Sequence, residues 1–264
     1  MTDIRIGDRH FEVELVVFDK DGLLFDAQYF WKCLAQIRIA ALREALPSEG
    51  VRAWCRRFGV RETGGAVTDV EPGGIFALAP PQEEIIVTAA VLAEWSDADW
   101  GVCRERAAEL FAVSDRQFDL LQSLQPRPGF PAIFDRLEAA GVPFGIATSD
   151  DDDRTRRSIA RYARVEALQF VVTPVDVERG KPHPDMLELI ARRTGIRPER
   201  IMMIGDSFVD VRMARAAGCI GVGIPDHPEM AERMRPWADA MADSLEELEI
   251  ECTTTTIPKG RDGI

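Results

Sequence analysis

The sequence has few lysines and histidines, and its charge is strongly one-sided. Its 264 residues include 45 acidic side chains against 32 basic ones, with only 3 histidines, and the formal net charge is −13. Lysine occurs only at positions 20, 32, 181 and 259. Such a charge repels nucleic acids and anionic membrane surfaces, so neither is expected as a partner. A phosphorylated substrate would also be repelled, unless a metal ion or a few basic side chains supply positive charge locally.

The sequence also lacks paired cysteines and long apolar segments. Its 5 cysteines are widely spaced and include no C-x-x-C pair, so neither a zinc site nor a redox-active disulfide is predicted. No apolar stretch reaches the roughly 20 residues that cross a bilayer. Residues 1–14 are mixed polar and charged, unlike a secretory signal. We therefore expect a soluble, cytoplasmic protein with reduced thiols.

The sequence does contain enough apolar residues, 46%, for a core domain and a smaller second domain. Short apolar runs, each typical of a buried strand, are found at 15–18, 144–147, 170–172, 201–204 and 220–223. From residue 126 onward they alternate with segments of helical period, which predicts a parallel sheet with helices on both faces. The predicted fold is α/β, with a Rossmann-like parallel-sheet core formed by residues 1–25 and 126–250. Residues 251–264 are predicted to be a disordered tail.

A mainly helical domain is predicted to be inserted into this core at residues 26–125. Apolar residues recur with a helical period at 27–46, 49–58, 83–95, 98–112 and 115–123. The segment 59–81 is rich in glycine and proline and cannot form a regular helix. It is expected to form either two short strands or one long loop.

Polar side chains follow the predicted strands at the points where the strands end. In chain order they are Asp19, Asp21, Thr148, Ser149, Lys181, Asp206 and Asp210. The carboxyl ends of parallel strands share one edge of a sheet, and ligands of such folds bind there. Neighbouring carboxylates repel one another unless a cation lies between them. Oxygen ligands and a phosphorylated substrate together favour Mg²⁺ as this cation.

The same residues have the chemical groups that phosphoryl transfer needs. The ammonium of Lys181 and the hydroxyl of Thr148 can bind phosphoryl oxygens. One carboxylate can be a covalent nucleophile, and a second one, two residues away, can exchange a proton with the leaving oxygen and with water. This combination predicts phosphoryl transfer through an aspartyl phosphate.

Four segments resemble the four motifs of the haloacid dehalogenase superfamily, in the same order. They are VFDKDGLL at 17–24, IATS at 146–149, GKPHP at 180–184 and IGDSFVD at 204–210. One such motif would be a weak signal, whereas four in order after predicted strands are a strong one. With the helical insertion, they resemble the helical-cap phosphatase subgroup, which includes phosphoglycolate phosphatases and β-phosphoglucomutases. Residues 239–248 resemble the last strand and helix of the family.

This resemblance implies roles for the catalytic and substrate-binding residues. Asp19 would be the nucleophile, and Asp21 would be the general acid and base. Thr148, Ser149 and Lys181 would bind the transferring phosphoryl group. Dehalogenases of the superfamily lack an aspartate at the position of Asp21, so its presence favours phosphate chemistry.

The resemblance also implies a metal site and a role for the inserted domain. Asp19 and Asp206 would bind Mg²⁺ together with the backbone carbonyl of Asp21. Asp210 would assist directly or through water. The helical insertion would be a cap that closes over the site and selects the substrate.

Other interpretations of these residues stay open. Asp19 and Asp21 can be an exposed turn, and Asp210 can have a purely structural role. The acidic run 150–153 is attributed to a helix N-terminus, where it complements the helix dipole, rather than to a metal site. The leading hypothesis is hydrolysis of a small phosphorylated metabolite, and the alternatives are a phosphomutase and a non-catalytic phosphate-binding module. The sequence identifies neither the substrate nor the oligomeric state.

Overall fold

The computed structural model describes residues 2–79 and 81–251 and divides into two compact units. Unit 1 is formed by Met1–Phe25 with Pro126–Ile264, and unit 2 by Asp26–Gln125. Of the predicted disordered tail, Glu251 is the last residue of a strand. Residues 252–264 lie outside the described residues.

Strands and helices alternate through most of unit 1, whereas unit 2 is mainly helical. The strands are β1 (Thr2–Ile6), β2 (Arg9–Val13), β3 (Leu15–Phe18), β4 (Val60–Thr63), β5 (Ala66–Val70), β6 (Phe144–Ala147), β7 (Val171–Val172), β8 (Ile201–Gly205), β9 (Ile220–Gly223), β10 (Ala240–Met241) and β11 (Glu249–Glu251). The α-helices are α1 (Ala27–Ala45), α2 (Ser48–Phe58), α3 (Ile75–Leu78), α4 (Pro81–Glu94), α5 (Trp100–Gln117), α6 (Ala132–Ala139), α7 (Asp152–Ala160), α8 (Asp185–Thr194), α9 (Phe208–Ala217) and α10 (Pro228–Met234).

A six-stranded sheet forms the centre of unit 1, with the strand order β10-β9-β8-β3-β6-β7. All its neighbouring strands are parallel. β3 lies between β6 and β8, and each of its residues is buried. A strand that is covered on both faces needs a continuous apolar sequence, which explains the LVVF run of β3. The predicted Rossmann-like α/β core is confirmed.

Helices cover this sheet, and successive residues of β3 face opposite sides of it. Val17 belongs to the apolar cluster that contains Met186 of α8 and Met213 of α9. The ring of Phe18 packs instead against Phe134 of α6, with 5.4 Å between ring centroids. Packing on both faces therefore holds β3 in place. It also sets the position of the polar residues that follow the end of this strand.

Unit 1 also contains a small antiparallel sheet with the order β11-β1-β2. In it, Ile4 lies opposite both Phe11 and Ile250. The prediction of a helix at the end of residues 239–248 is wrong. The chain forms only a 3₁₀ turn at Leu245–Glu247 before it enters β11. Leu245 and Leu248 are both buried, and this turn is enough to bury them.

The helices of unit 2 pack around an aromatic core of their own. Trp54 of α2 is fully buried, stacks on Phe58 at 4.2 Å between centroids, and donates a hydrogen bond from Nε1 to Thr88 Oγ1 at 2.9 Å. The segment 59–81, for which the sequence left two alternatives, forms the hairpin β4-β5 and the short helix α3.

The last two helices predicted in unit 2 are not separated where the sequence indicates, because α5 continues across the predicted break. The predicted helices 98–112 and 115–123 correspond to α5 and a 3₁₀ turn at Leu121–Ser123. Ser114 lies inside α5, fully buried, and its Oγ donates to the carbonyl oxygen of Phe111 at 2.9 Å. No helix within residues 2–79 and 81–251 has both the length and the apolarity to cross a bilayer.

Candidate active site

The ends of three neighbouring strands bring several predicted site residues to one edge of the main sheet. The amide of Asp19 donates to the carbonyl oxygen of Ile204 at 2.9 Å, so Asp19 stays beside the end of β8. The amide of Thr148 donates to the carbonyl oxygen of Val172 at 3.0 Å, just beyond the end of β6. Asp206 follows β8 directly. This is the edge at which ligands of parallel α/β sheets bind.

Three carboxylates meet at this edge. Asp19, Asp206 and Asp210 each offer an oxygen, and these oxygens lie within 4.8 Å of one another. Two glycines make this approach possible. Gly22 has a φ of 86°, and a Cβ at this position would overlap the Asp206 carboxylate. A Cβ at Gly205 would overlap the side chain of Asp210.

The ammonium of Lys181 joins two of these carboxylates. Its Nζ donates to Asp19 Oδ1 at 2.6 Å and to Asp210 Oδ1 at 2.7 Å. Burial alone would lower the pKa of this ammonium, but Asp19 and Asp210 raise the pKa above its ordinary value. Lys181 is therefore a fixed positive charge in contact with Asp19.

The single ammonium of Lys181 does not balance the negative charge of the three carboxylates. Burial is the main cause that raises the pKa of Asp19 to about 6, with Lys181 lowering it and Asp210 raising it further. Burial, followed by Asp19 and Asp210, raises the pKa of Asp206 well above its usual range. A divalent cation would remove this repulsion, and the oxygen-only donors fit Mg²⁺. These three carboxylates could therefore hold a metal ion.

Asp210 also has a structural role in its own helix. Its Oδ2 accepts hydrogen bonds from Ser207 Oγ at 2.7 Å and from the Ser207 amide at 3.2 Å, which forms a capping box at the start of α9. Ser207, and not Asp206, is the N-cap of this helix. Both oxygens of Asp210 are thus used by protein groups. In the described residues, by contrast, no hydrogen bond or ion pair involves the side chain of Asp206.

Asp21 is held by a residue to which the sequence analysis assigns no role. Lys20 is fully buried, and its Nζ lies 2.7 Å from Asp21 Oδ1 and 2.9 Å from Asp150 Oδ2. In the acidic run 150–153, Asp151 is the N-cap of α7, but Asp150 precedes the helix and pairs with Lys20. Attributing the whole run to the helix N-terminus is therefore wrong for Asp150. The available signal was a lysine two residues after an apolar strand, between two aspartates.

Thr148 and Ser149 follow β6 but differ in exposure. Thr148 is buried, and its Oγ1 accepts a hydrogen bond from the amide of Asp150 at 3.1 Å. The proton of this hydroxyl can still be donated to a ligand. Ser149 is exposed. The structure thus fixes Thr148 in the loop and leaves Ser149 at the surface.

A family model matches the sequence that forms this site. The match runs over residues 13–218, which include all seven predicted site residues and the inserted unit 2, and the model is that of the haloacid dehalogenase-like hydrolases. The chain belongs to the haloacid dehalogenase-like hydrolases. The resemblance inferred from the four motifs is confirmed.

Individual relatives of this haloacid dehalogenase-like hydrolase match it less completely. Phosphoglycolate phosphatase of Shigella boydii is 36% identical over 124 residues, which are 45% of this chain and 49% of that protein. The chain thus spans about half the length of this curated relative. The identity is well above chance, but it covers only part of each chain.

Two solved structures share the fold along most of the chain. A predicted phosphoglycolate phosphatase from Haemophilus somnus has a TM-score of 0.63 and 18% identity, and covers 89% of this chain and 95% of that chain. A putative β-phosphoglucomutase from Thermotoga maritima has a TM-score of 0.58 and 20% identity, with 89% and 96% covered. At such identities, the similarity establishes the fold alone.

One more acidic residue lies near the site of this haloacid dehalogenase-like hydrolase. Asp226 comes soon after β9 and contributes to the raised pKa of Asp206. The next residue, His227, caps α10 through Nδ1, and its Nε2 is 3.4 Å from Asp226 Oδ1. Asp226 is not among the site residues predicted from the sequence. Applying the strand-end rule to β9 as well would have found it.

Proposed function

We propose that this protein is a Mg²⁺-dependent phosphatase that hydrolyses a small phosphorylated metabolite through an aspartyl phosphate on Asp19. The observation that carries the proposal is the buried contact of 2.6 Å between Asp19 and Lys181, next to the carboxylates of Asp206 and Asp210. Phosphoryl transfer through an aspartyl phosphate uses such a nucleophile, and a fixed ammonium and a cation beside it would balance the phosphoryl charge. The family match and the phosphoglycolate phosphatase relative support the same class of reaction.

In this proposal, Asp19 and Asp206 would hold the Mg²⁺ ion together with the backbone carbonyl of Asp21. Bound there, the ion would neutralise the carboxylates and polarise the phosphoryl group. The oxygen-only donors and the raised pKa of Asp206 support a cation at this place. Asp210 would assist directly or through water, and contact through water suits it better because Lys181 and the cap of α9 already use its oxygens.

The first step transfers the phosphoryl group to Asp19. A bond forms between a carboxylate oxygen of Asp19 and phosphorus, and the ester P–O bond breaks, with its electron pair leaving on the alcohol oxygen. Asp21 gives this oxygen a proton, and the alcohol departs. Lys181, Thr148 and Ser149 hold the non-bridging oxygens during the transfer. Of these three, Lys181 and Thr148 are buried, so their positions are set before the substrate binds.

The second step releases inorganic phosphate. A water molecule attacks phosphorus in the aspartyl phosphate, and the P–O bond to Asp19 breaks. Asp21, which is now a carboxylate, takes a proton from the attacking water. Asp19 is again a carboxylate and Asp21 again carries its proton. In total, one phosphomonoester and one water give one alcohol and one phosphate.

The substrate class follows from charge and from the relative. A net charge of −13 repels large polyanions, whereas a single phosphoryl group can be balanced by Lys181 and a metal ion. Phosphoglycolate is one candidate, because the curated relative is a phosphoglycolate phosphatase. We therefore place the substrate among small phosphorylated metabolites.

The test is release of phosphate from p-nitrophenyl phosphate and from a panel of phosphorylated metabolites that includes phosphoglycolate. Release should require Mg²⁺, stop in EDTA and be lost in Asp19→Asn. The matched control is Asp153→Asn, because Asp153 is an exposed aspartate of α7 that pairs only with Arg157 in the described residues. This variant should behave like the unaltered protein.

Two other results would refute hydrolysis. Release no greater than that of Asp19→Asn would favour a non-catalytic phosphate-binding module. A rearranged sugar phosphate without free phosphate would favour a phosphomutase. Intact mass spectrometry of the unaltered protein should detect one added phosphoryl group during turnover, and Asp19→Asn should not gain it.

A further inference from the structure

The proposed reaction leaves the position of Lys20 unexplained. This residue lies between Asp19 and Asp21, its side chain is 1% exposed, and its ammonium lies 2.7 Å from Asp21 Oδ1 and 2.9 Å from Asp150 Oδ2. A lysine at a surface would turn its ammonium toward water. Here the ammonium is held between two carboxylates that follow the neighbouring strands β3 and β6.

Burial makes an ammonium at this position unfavourable unless it is paired. Taking a charge out of water has a large cost, which only close partners and hydrogen bonds offset. A methionine would fill a similar space without this cost. Packing alone therefore does not account for a lysine here, and the two carboxylates that it contacts are the remaining reason.

Asp150 is anchored to its own loop independently of Lys20. Its amide donates to Thr148 Oγ1 at 3.1 Å, and its Oδ1 lies 3.4 Å from Arg154 Nη1. Its side chain is 14% exposed. The loop after β6 therefore holds Asp150 firmly, and Asp150 in turn can hold the ammonium of Lys20.

We propose that Asp150 and Lys20 are positioning residues that fix the carboxyl group of Asp21 for proton transfer, an inference that rests on the proposed phosphatase function. Asp150 holds the ammonium of Lys20, and Lys20 holds Oδ1 of Asp21. The side chain of Asp21 is 35% exposed, so its other oxygen can face the leaving group and the attacking water. Because Asp150 balances the charge of Lys20, the ammonium keeps its place whether or not Asp21 carries a proton.

The choice of leaving group separates the positioning of a proton donor from general damage to the site. The alcohol of glycerol phosphate needs a proton as it leaves, whereas 2,4-dinitrophenolate leaves without one. In Lys20→Met and Asp150→Ala, single-turnover formation of the phosphoenzyme should slow by about 10- to 100-fold with glycerol phosphate and change little with 2,4-dinitrophenyl phosphate. Asp153→Ala, which removes an exposed aspartate of the same acidic run, should change neither rate.

A double-variant cycle tests whether Lys20 acts through Asp21. In the Asp21→Asn background the proton donor is already absent, so Lys20→Met should add little further loss with glycerol phosphate. An equal loss in both backgrounds, or equal slowing of the two substrates, would overturn the proposal. Circular dichroism and thermal unfolding show whether each variant folds. If Lys20→Met does not fold, Asp150→Ala, which keeps the lysine, replaces it in the same cycle.

Two readouts keep this inference separate from the proposed function. Phosphate release by the unaltered protein above the level of Asp19→Asn tests the phosphatase function alone. Crystal structures of the unaltered protein and of Asp150→Ala test the positioning without any turnover, and the Asp21 carboxyl group should shift in the variant. If that group keeps its place, the inference is wrong whether or not the protein releases phosphate.

Discussion

The buried carboxyl group of Glu84, in α4, should make the stability of the protein depend on pH. Its side chain is buried, and its Oε2 has no hydrogen-bond partner among the described residues. Burial raises the pKa of Glu84 from 4.5 to about 7, with Arg38 of α1 lowering it and Asp115 of α5 raising it. The folded protein therefore prefers the uncharged form. Glu84→Gln tests this preference, because glutamine has a similar shape and cannot ionise.

The sign and size of the effect follow from this pKa. Between pH 4.5 and pH 7 the folded protein binds more protons at Glu84 than the unfolded chain does. The contribution of the group to stability is complete below this window and is lost as the pH rises through it. One pKa unit corresponds to about 1.4 kcal/mol, so the loss between pH 5 and pH 8 is about 2.5 kcal/mol. Glu84→Gln should avoid this loss. The unfolding free energy of the variant minus that of the unaltered protein should therefore increase by about 2.5 kcal/mol from pH 5 to pH 8.

Urea unfolding at several pH values from 5 to 8 measures this difference. Tryptophan fluorescence reports on unit 2, whose core contains the fully buried Trp54. The control is Glu83→Gln, which makes the same charge change at an exposed position of the same helix. Its difference from the unaltered protein should stay nearly constant across these pH values. If the Glu84→Gln difference is also the same at pH 5 and pH 8, the reasoning about the buried carboxyl group is refuted.

Three further predictions concern the site at the edge of the main sheet. Gly22→Ala should displace the Asp206 carboxylate and weaken Mg²⁺ binding by about 10-fold or more in a calorimetric titration. The control is Gly64→Ala, which also has a positive φ but has open space around it, and it should leave the Mg²⁺ affinity unchanged. Lys181→Met leaves the buried Asp19 carboxylate without the ammonium that it contacts. In EDTA, urea unfolding should therefore show that the unfolding free energy falls by about 3 kcal/mol. An unchanged urea midpoint would contradict this prediction. Mg²⁺ should raise the thermal midpoint of the unaltered protein but not that of Asp206→Asn, and an equal rise in both would exclude this carboxylate as a ligand.

The strands of the main sheet could be predicted from the sequence because both faces of the sheet are covered. Continuous apolar runs give a strong local signal for such strands, and the predicted bounds of β6 and β9 agree with those observed. β7 was predicted one residue too long, at a position where Phe170 precedes the strand. Because these strands are buried on both faces, their positions could be predicted from the local pattern of apolar residues alone.

The third strand of the small sheet, β11, and the course of α5 could not be predicted in the same way. β11 has the sequence Glu-Ile-Glu, which has too few apolar residues to indicate a strand, and it forms by pairing with β1 from the other end of the chain. In α5, Ser114 resembles the start of a new helix, but it is buried against Phe111 and its helix continues to Gln117. Tertiary packing determines both the pairing of β11 and the length of α5. A short stretch of sequence gives no information about such packing.

The site was predictable to the extent that it depends on strand ends. This rule brings Asp19, Asp206 and Asp210 to one edge, and the structure has their oxygens close together. The pairing of Lys20 with Asp150 was not predictable, because it joins loops that follow two different strands. It depends on the register of β3 against β6 and on the direction of each side chain, which local sequence does not encode.

The partners of the carboxylates explain why Asp206 is the residue to substitute in the Mg²⁺ experiment. Asp19 and Asp210 share the ammonium of Lys181, and Asp210 also accepts from Ser207. In the described part of the chain, Asp206 has no such donor, and burial with its acidic neighbours raises its pKa well above the usual range. A bound cation therefore relieves more repulsion at Asp206 than at Asp210. Asp206→Asn should weaken Mg²⁺ binding more than Asp210→Asn does, and the reverse order would contradict this account of the site.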